Sequence, residues 1–239
     1  MQNTQTRDLG FFQPVESLGG RIMSLRGYVG TITGLTLIGF LAILVCYGFT
    51  STPMFLQWVY VNPGAFSTAT LVASVASIAG IIIQLIGNFR VRRSGTGLWM
   101  MVAGYVLLVG SLGFTTSFLL TMYTVNSIFA ALIGTACISV VMTIAGFAFP
   151  QFFQRIGGIL LALLIGVILA QIIFFFLGIS QGWLDWVVLV IFAGFIAFDT
   201  YRAMHSEPTL PNAIFWATSL YLDLLNIFIR LLAIFGDRR

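Results

Sequence analysis

Apolar residues in this chain come in long unbroken runs rather than in the short alternations of a water-soluble domain. Residues 27 to 89 pass 63 positions without a charge, interrupted only at Thr50-Ser51-Thr52-Pro53 and at Asn62-Pro63-Gly64. Those turn formers divide the run into two spans joined by a turn. Residues 94 to 154 repeat the pattern over 61 positions, with a break near Thr121 to Asn126. A fifth span follows over 156–184, a sixth over 183–204 and a seventh over 212–235. Each run supplies the roughly 20 apolar residues that a helix needs to cross a hydrocarbon core. Backbone polar groups must be paired inside lipid, and the strict alternation of a membrane β-barrel is missing. The pattern predicts an all-α integral membrane protein, a seven-transmembrane-helix bundle over 27–239 preceded by a tail over 1–26. The tail holds Arg7, Asp8, Glu16, Arg21 and Arg26 among Gln, Asn and Thr. Without an apolar core or a small-residue cleavage site it reads as a cytosolic tail, not a signal peptide.

Spacing within the spans indicates which faces meet. Span four carries Ser127, Ala131, Thr135, Ser139 and Thr143 at steps of four, and span five carries Gly158, Ala162, Gly166 and Ala170 likewise. Such ridges let helix backbones approach closely in lipid, where apolar side chains gain little by meeting one another. Both are expected to pack against neighbours, so that Gly166→Leu would disturb the fold more than Leu164→Ala. In span seven, Ser219, Asp223, Asn226 and Arg230 share one face, while Leu222, Leu224, Leu225, Ile227, Phe228 and Ile229 cover the rest. An acid near a helix centre costs about 2.5 to 3.5 kcal/mol on insertion scales, which marks Asp223 as a functional candidate. Asp199 is the second acid in apolar surroundings, within Phe195-Ile196-Ala197-Phe198-Asp199-Thr200. At 1.5 Å per residue, Asp199 lies about 7 Å and Asp223 about 15 Å from the same end of the bundle. Two arrangements follow and are compatible: the carboxyls meet across antiparallel helices, or Asp199 pairs locally with Arg202.

Composition narrows the chemistry. Hydrophobic residues make up 59% of the 239 positions and charged ones 8%, against about 25% charged in a typical soluble domain. All 11 basic residues are Arg, so no Lys is present to hold a retinal Schiff base. His205, Cys46 and Cys137 lie in separate segments and build neither a zinc site nor a disulfide framework. No phosphate-binding G-x-x-x-x-G-K-[ST] loop occurs, and no cofactor is implied. The net charge of +4 and the isoelectric point near 9.4 do not call for nucleic acid, because the arginines cluster at span ends. Arg7, Arg21, Arg26, Arg90, Arg92, Arg93, Arg155 and Arg202 fall on one side, and loops 50–65, 120–125 and 179–183 on the other carry no Arg. The N-terminus is therefore expected in the cytosol, most simply in a bacterial inner membrane. For the C-terminal Asp237-Arg238-Arg239 two placements stay open: outside after seven full spans, or cytosolic if the last helix is short or re-entrant.

The segment Ala193-Gly194-Phe195-Ile196-Ala197-Phe198-Asp199-Thr200, followed by Ser219-Leu220-Tyr221-Leu222-Asp223-Leu224-Leu225-Asn226-Ile227-Phe228-Ile229-Arg230-Leu231-Leu232, resembles the Bax inhibitor-1 family of membrane proteins. Ala131, Thr135 and Ala136 add a weaker match to the family's A-x-x-x-T-A element. The resemblance implies a central seventh helix wrapped by two three-helix groups. It also implies a calcium leak that responds to pH through an aspartate pair, matched here by Asp199 and Asp223. Two departures stand out. Cys137-Ile138-Ser139 replaces the apolar-apolar-Phe ending of the span-four element, and span two has Gln84 and Asn88 where some relatives carry an Arg partner for the pair.

The leading expectation is a non-enzymatic, pH-gated calcium leak. Two carboxyls in a low-dielectric site repel when both ionise, so they titrate as a coupled unit that biases helix packing. Ser219, Asn226, Arg230 and Arg202 form its supporting polar face. Calcium favours oxygen ligands, but two carboxylates fall short of a six-to-eight-oxygen cage, which suits transit at Asp199 and Asp223 rather than storage. One alternative is a regulator that binds a membrane protease or another partner. Another is an intramembrane aspartyl protease using the same acids, although Asp199 follows Phe198 rather than Tyr and Asp223 follows Tyr221-Leu222 rather than Gly-x-Gly.

Overall fold

The computed structural model describes residues 22–178 and 182–237. Most of the tail, with Arg7 and Arg21, the centre of loop 179–183, and Arg238-Arg239 lie outside the described residues. Helices run as α1 (Leu25–Thr50), α2 (Pro53–Val61), α3 (Pro63–Ser94), α4 (Leu98–Leu120), α5 (Val125–Ala148), α6 (Pro150–Leu177), α7 (Gly182–Met204) and α8 (Leu210–Phe235), with no strand among the described residues. Seven of them, all but α2, are long and apolar enough to cross a membrane, as the hydrophobic runs predict.

Local chemistry sets the helix starts. Ser24 Oγ, Thr52 Oγ1, Thr124 Oγ1 and Thr209 Oγ1 each accept a backbone N–H in the first turn of α1, α2, α5 and α8. Proline opens α2, α3 and α6, where its missing N–H would be unpaired anyway. That property explains two departures from expectation. Pro53 and Pro63 start helices, so the expected turn between spans one and two is the nine-residue helix α2. Pro150 ends the apolar run of span four earlier than Arg155 does, so Arg155 sits inside α6. Arg90, Arg92 and Arg93 likewise belong to the last turns of α3 rather than to a loop. The α3–α4 connection is short because Gly95 (φ 68°) and Gly97 (φ 134°) take left-handed backbone conformations.

The bundle is organised around α8. On one side α4 packs against α1 and α3, on the other α7 packs against α5 and α6, and α8 lies against α1, α4, α5 and α7 and also touches α3. The central position implied for the seventh span is thus found. Trp216, Tyr221, Ile227, Phe228 and Leu232 of α8 are fully enclosed. At 26 residues, about 39 Å, α8 is not short and is long and apolar enough to cross a membrane. Its end meets the α4–α5 connection, where Asp237 N–H donates to Ser127 Oγ at 2.9 Å and Thr124 N–H donates to the Asp237 carbonyl at 3.1 Å. The start of α1 meets the α7–α8 connection instead, through Met23 N–H and the Pro208 carbonyl at 2.8 Å.

The two small ridges fare differently. Ser127, Ala131 and Thr135 are buried, so the α5 ridge faces protein as expected. The α6 ridge does not: Gly158, Ala162 and Gly166 point outward, and a Cβ added to Gly158 or Gly166 would meet nothing within 4 Å. The packed face of α6 lies one residue over, where Gly157 rests on the Phe198 ring and Leu160 fills the space above Gly194. Leu164, expected to matter less than Gly166, packs against Val167, Val188 and Ile191. The closest backbone approach involving α3 is with α4, where a Cβ on Gly80 would lie 2.8 Å from the Gly104 carbonyl oxygen and one on Gly104 2.6 Å from that of Gly80.

Candidate functional site

The α7–α8 seam carries the acids. Both helices are enclosed at this depth, leaving Asp199 only 6% and Asp223 only 5% exposed. Packing of α7 on α8 brings the two acids within reach of one another despite the difference in depth read from the sequence. Each carboxyl acts electrostatically on the other. Ser219 Oγ, one turn before Asp223, donates to Asp199 Oδ2. Asp223 Oδ2 is buried with no hydrogen-bond partner among the described residues. A buried, unpartnered carboxylate oxygen is costly, and here it belongs to a pair of like-charged groups.

Arg202 lies one turn beyond Asp199. Its charge acts on the Asp199 carboxyl, while its guanidinium sits 5.4 Å from the centre of the Phe198 ring and 5.5 Å from that of Trp216, the geometry of a cation–π contact. The Trp216 Nε1–H donates to Ser206 Oγ at 3.0 Å, and Ser206 in turn donates to the Arg202 carbonyl at 2.6 Å, tying the α7–α8 connection together.

The remaining polar residues of α8 are not gathered at the pair. Asn226 Nδ2 donates to the Leu222 carbonyl of its own helix at 2.8 Å. Arg230 Nη1 donates to Asp185 Oδ1 at 2.5 Å, an ion pair with the first turn of α7. Asp185 was not among the residues singled out, because it stands at the beginning of a span. The signal that finds it is helical: Asp185 and Asp199 are 14 residues apart, about 40° short of four full turns at 3.6 residues per turn, and so share a face of α7. Gln84 and Asn88 of α3 are both buried. Gln84 Nε2 donates to Thr218 Oγ1 at 2.6 Å, beside Ser219, so a neutral amide links α3 to α8 here. No third His, Cys, Asp or Glu joins Asp199 and Asp223 among the described residues. Two carboxylates and a hydroxyl make an incomplete shell for a hard cation.

A bundle of seven membrane-length helices with a central last helix and two acids buried against it defines a class of polytopic helical membrane proteins. Comparison places the chain within that class. The family model for the inhibitor of apoptosis-promoting Bax1 matches residues 26–239, and the chain belongs to the Bax inhibitor-1 family. An uncharacterised membrane protein of Streptococcus pyogenes serotype M3 is 31% identical over 171 residues, covering 67% of this chain and 72% of the relative. The inner membrane protein YbhL of Escherichia coli K12 is 28% identical over 202 residues, covering 77% and 85%. Bax inhibitor 1 of Schizosaccharomyces pombe is 29% identical over 188 residues, covering 77% and 66%.

Proposed function

We propose that this membrane protein is a pH-sensitive calcium leak whose gate is the Asp199–Asp223 pair. The observation that carries this reading is the burial of two carboxyls against one another, with one oxygen of Asp223 left without a partner. Such a pair holds a proton between its members or charges fully, and the doubly charged form repels itself within a low-dielectric core. A change of proton occupancy is therefore a change in the force between α7 and α8. A calcium ion entering the doubly charged form offsets that repulsion, with Ser219 beside it. The role is transport rather than catalysis. The membrane is a bacterial inner membrane, with the Arg-rich end of the bundle in the cytosol and the lipid bilayer and calcium as the ligands.

Calcium entry into liposomes that contain only the purified chain tests the reading. Flux that varies between about pH 5 and 8 is expected, and liposomes that pass no calcium at any pH would sink it. The second reading is a regulator that binds a membrane partner. It is favoured by one observation, the outward ridge of Gly158, Ala162 and Gly166 on α6. A stable co-purifying membrane protein together with silent liposomes would select it.

A further inference from the structure

The seam between α7 and α8 has a second polar station. Arg230 is the only described arginine whose place in the sequence lies away from the Arg-rich end of the bundle. It follows Asp223 by seven residues, about 10.5 Å along the helix, on the face that also holds Ser219 and Asn226. Asp185 answers it from α7 at 2.5 Å, with the two side chains 25% and 19% exposed. The Arg230 Nε–H is buried without a partner among the described residues, so the guanidinium is only partly satisfied by its acid. An ion pair taken this far out of water contributes little net stability, which makes its placement on the acid-bearing face informative.

We infer that the Asp185–Arg230 pair is an electrostatic gate for cations at the end of the α7–α8 seam opposite the arginine-rich end. The inference rests on the leak reading and adds to it the element that sets how readily a divalent cation reaches Asp199 and Asp223. Closed, the guanidinium stands across the seam with its charge balanced by Asp185. Any surplus of positive charge repels a divalent cation twice as strongly as a monovalent one, and any surplus of negative charge attracts it.

The consequence is a pair of opposite responses that a merely structural ion pair would not produce. In calcium-loaded proteoliposomes, Arg230→Gln leaves Asp185 uncompensated and is expected to raise calcium flux by at least about threefold, while Asp185→Asn leaves Arg230 uncompensated and lowers it by a similar factor. The double variant carrying Asp185→Arg and Arg230→Asp restores the charge balance and returns flux towards that of the parent. A charge added after folding keeps the test open should a single variant fold poorly. For this, Arg230→Cys is made in a background carrying Cys46→Ser and Cys137→Ser, then reacted with a cationic or an anionic methanethiosulfonate. The cationic adduct should lower flux and the anionic adduct should raise it. Single variants or adducts that shift flux in the same direction, or not at all, while the parent leaks calcium normally, overturn the gate and leave the leak standing. A parent that passes no calcium overturns both.

Discussion

The α7–α8 seam holds two polar stations built on opposite principles. One places Asp199 and Asp223 together, like charges in the enclosed middle of the bundle, eased by the Ser219 hydroxyl and by the charge of Arg202. The other places Asp185 and Arg230 together, opposite charges in a half-open position. The difference is in how each station is balanced. Asp185 meets a base from the neighbouring helix. Asp199 meets a second acid and a hydroxyl, and in the proposed leak these two carboxyls share a proton and form the variable charge of the seam.

The sharpest way to break this contrast is to remove the variable charge. Asp199→Asn and Asp223→Asn each abolish the coupling, and each should flatten the pH dependence of calcium flux between about pH 5 and 8. Well-folded single variants that keep the full pH response would sink the paired-acid mechanism. A packing change behind the first station comes next in size. A Cβ on Gly146 of α5 would lie 2.5 Å from the Ala197 carbonyl oxygen, two residues before Asp199. Gly146→Leu should therefore push α7 aside and cost about 1–3 kcal/mol of stability, read as a lower midpoint of thermal unfolding in detergent. Ser219→Ala removes one hydrogen bond from Asp199 and should cost about 1 kcal/mol. Because both acids remain, it should move the midpoint of the flux–pH curve while leaving the slope intact. The smallest effect belongs to a site away from both stations: Gly166→Leu on the outward face of α6 should change stability by less than about 0.5 kcal/mol. A loss as large as that of Gly146→Leu would mean that a partner covers this face.

The outward glycine also shows where sequence reasoning stops. Seven apolar runs are legible because span length is set by the bilayer, and a buried acid is legible because lipid makes it costly. Rotation about a helix axis is another matter. In α6, Gly157 and Gly158 are neighbours, and the run around them is apolar on every side. With lipid as apolar as the core, hydrophobicity carries no information about which face packs. The answer lies in the shapes of Phe198 and Leu160, which only the folded bundle brings to α6. The α5 ridge was easier because its hydroxyls prefer protein to lipid. Asp185 escaped notice for a related reason: its partner Arg230 is 45 residues away, and a charge at the edge of a span carries no penalty that would single it out. The helix α2 was hidden by Pro53 and Pro63, which read as chain breakers although each occupies a first helical turn, where proline is at home.

The central position of α8 has a consequence for biosynthesis. A ribosome delivers α7 before α8, and at roughly 5–20 residues per second the 24 residues between Asp199 and Asp223 take about 1–5 s to emerge. Until α8 arrives, the faces of α1, α4, α5 and α7 that it covers have no partner in the chain, and Asp185 and Asp199 have neither Arg230 nor Ser219 to meet. A nascent chain stalled there would display two acids without their α8 partners to the insertion machinery. Entry of the last helix would then close the hydrophobic interior and satisfy both acids in one event, so that assembly of the bundle and assembly of its polar seam are a single step in time.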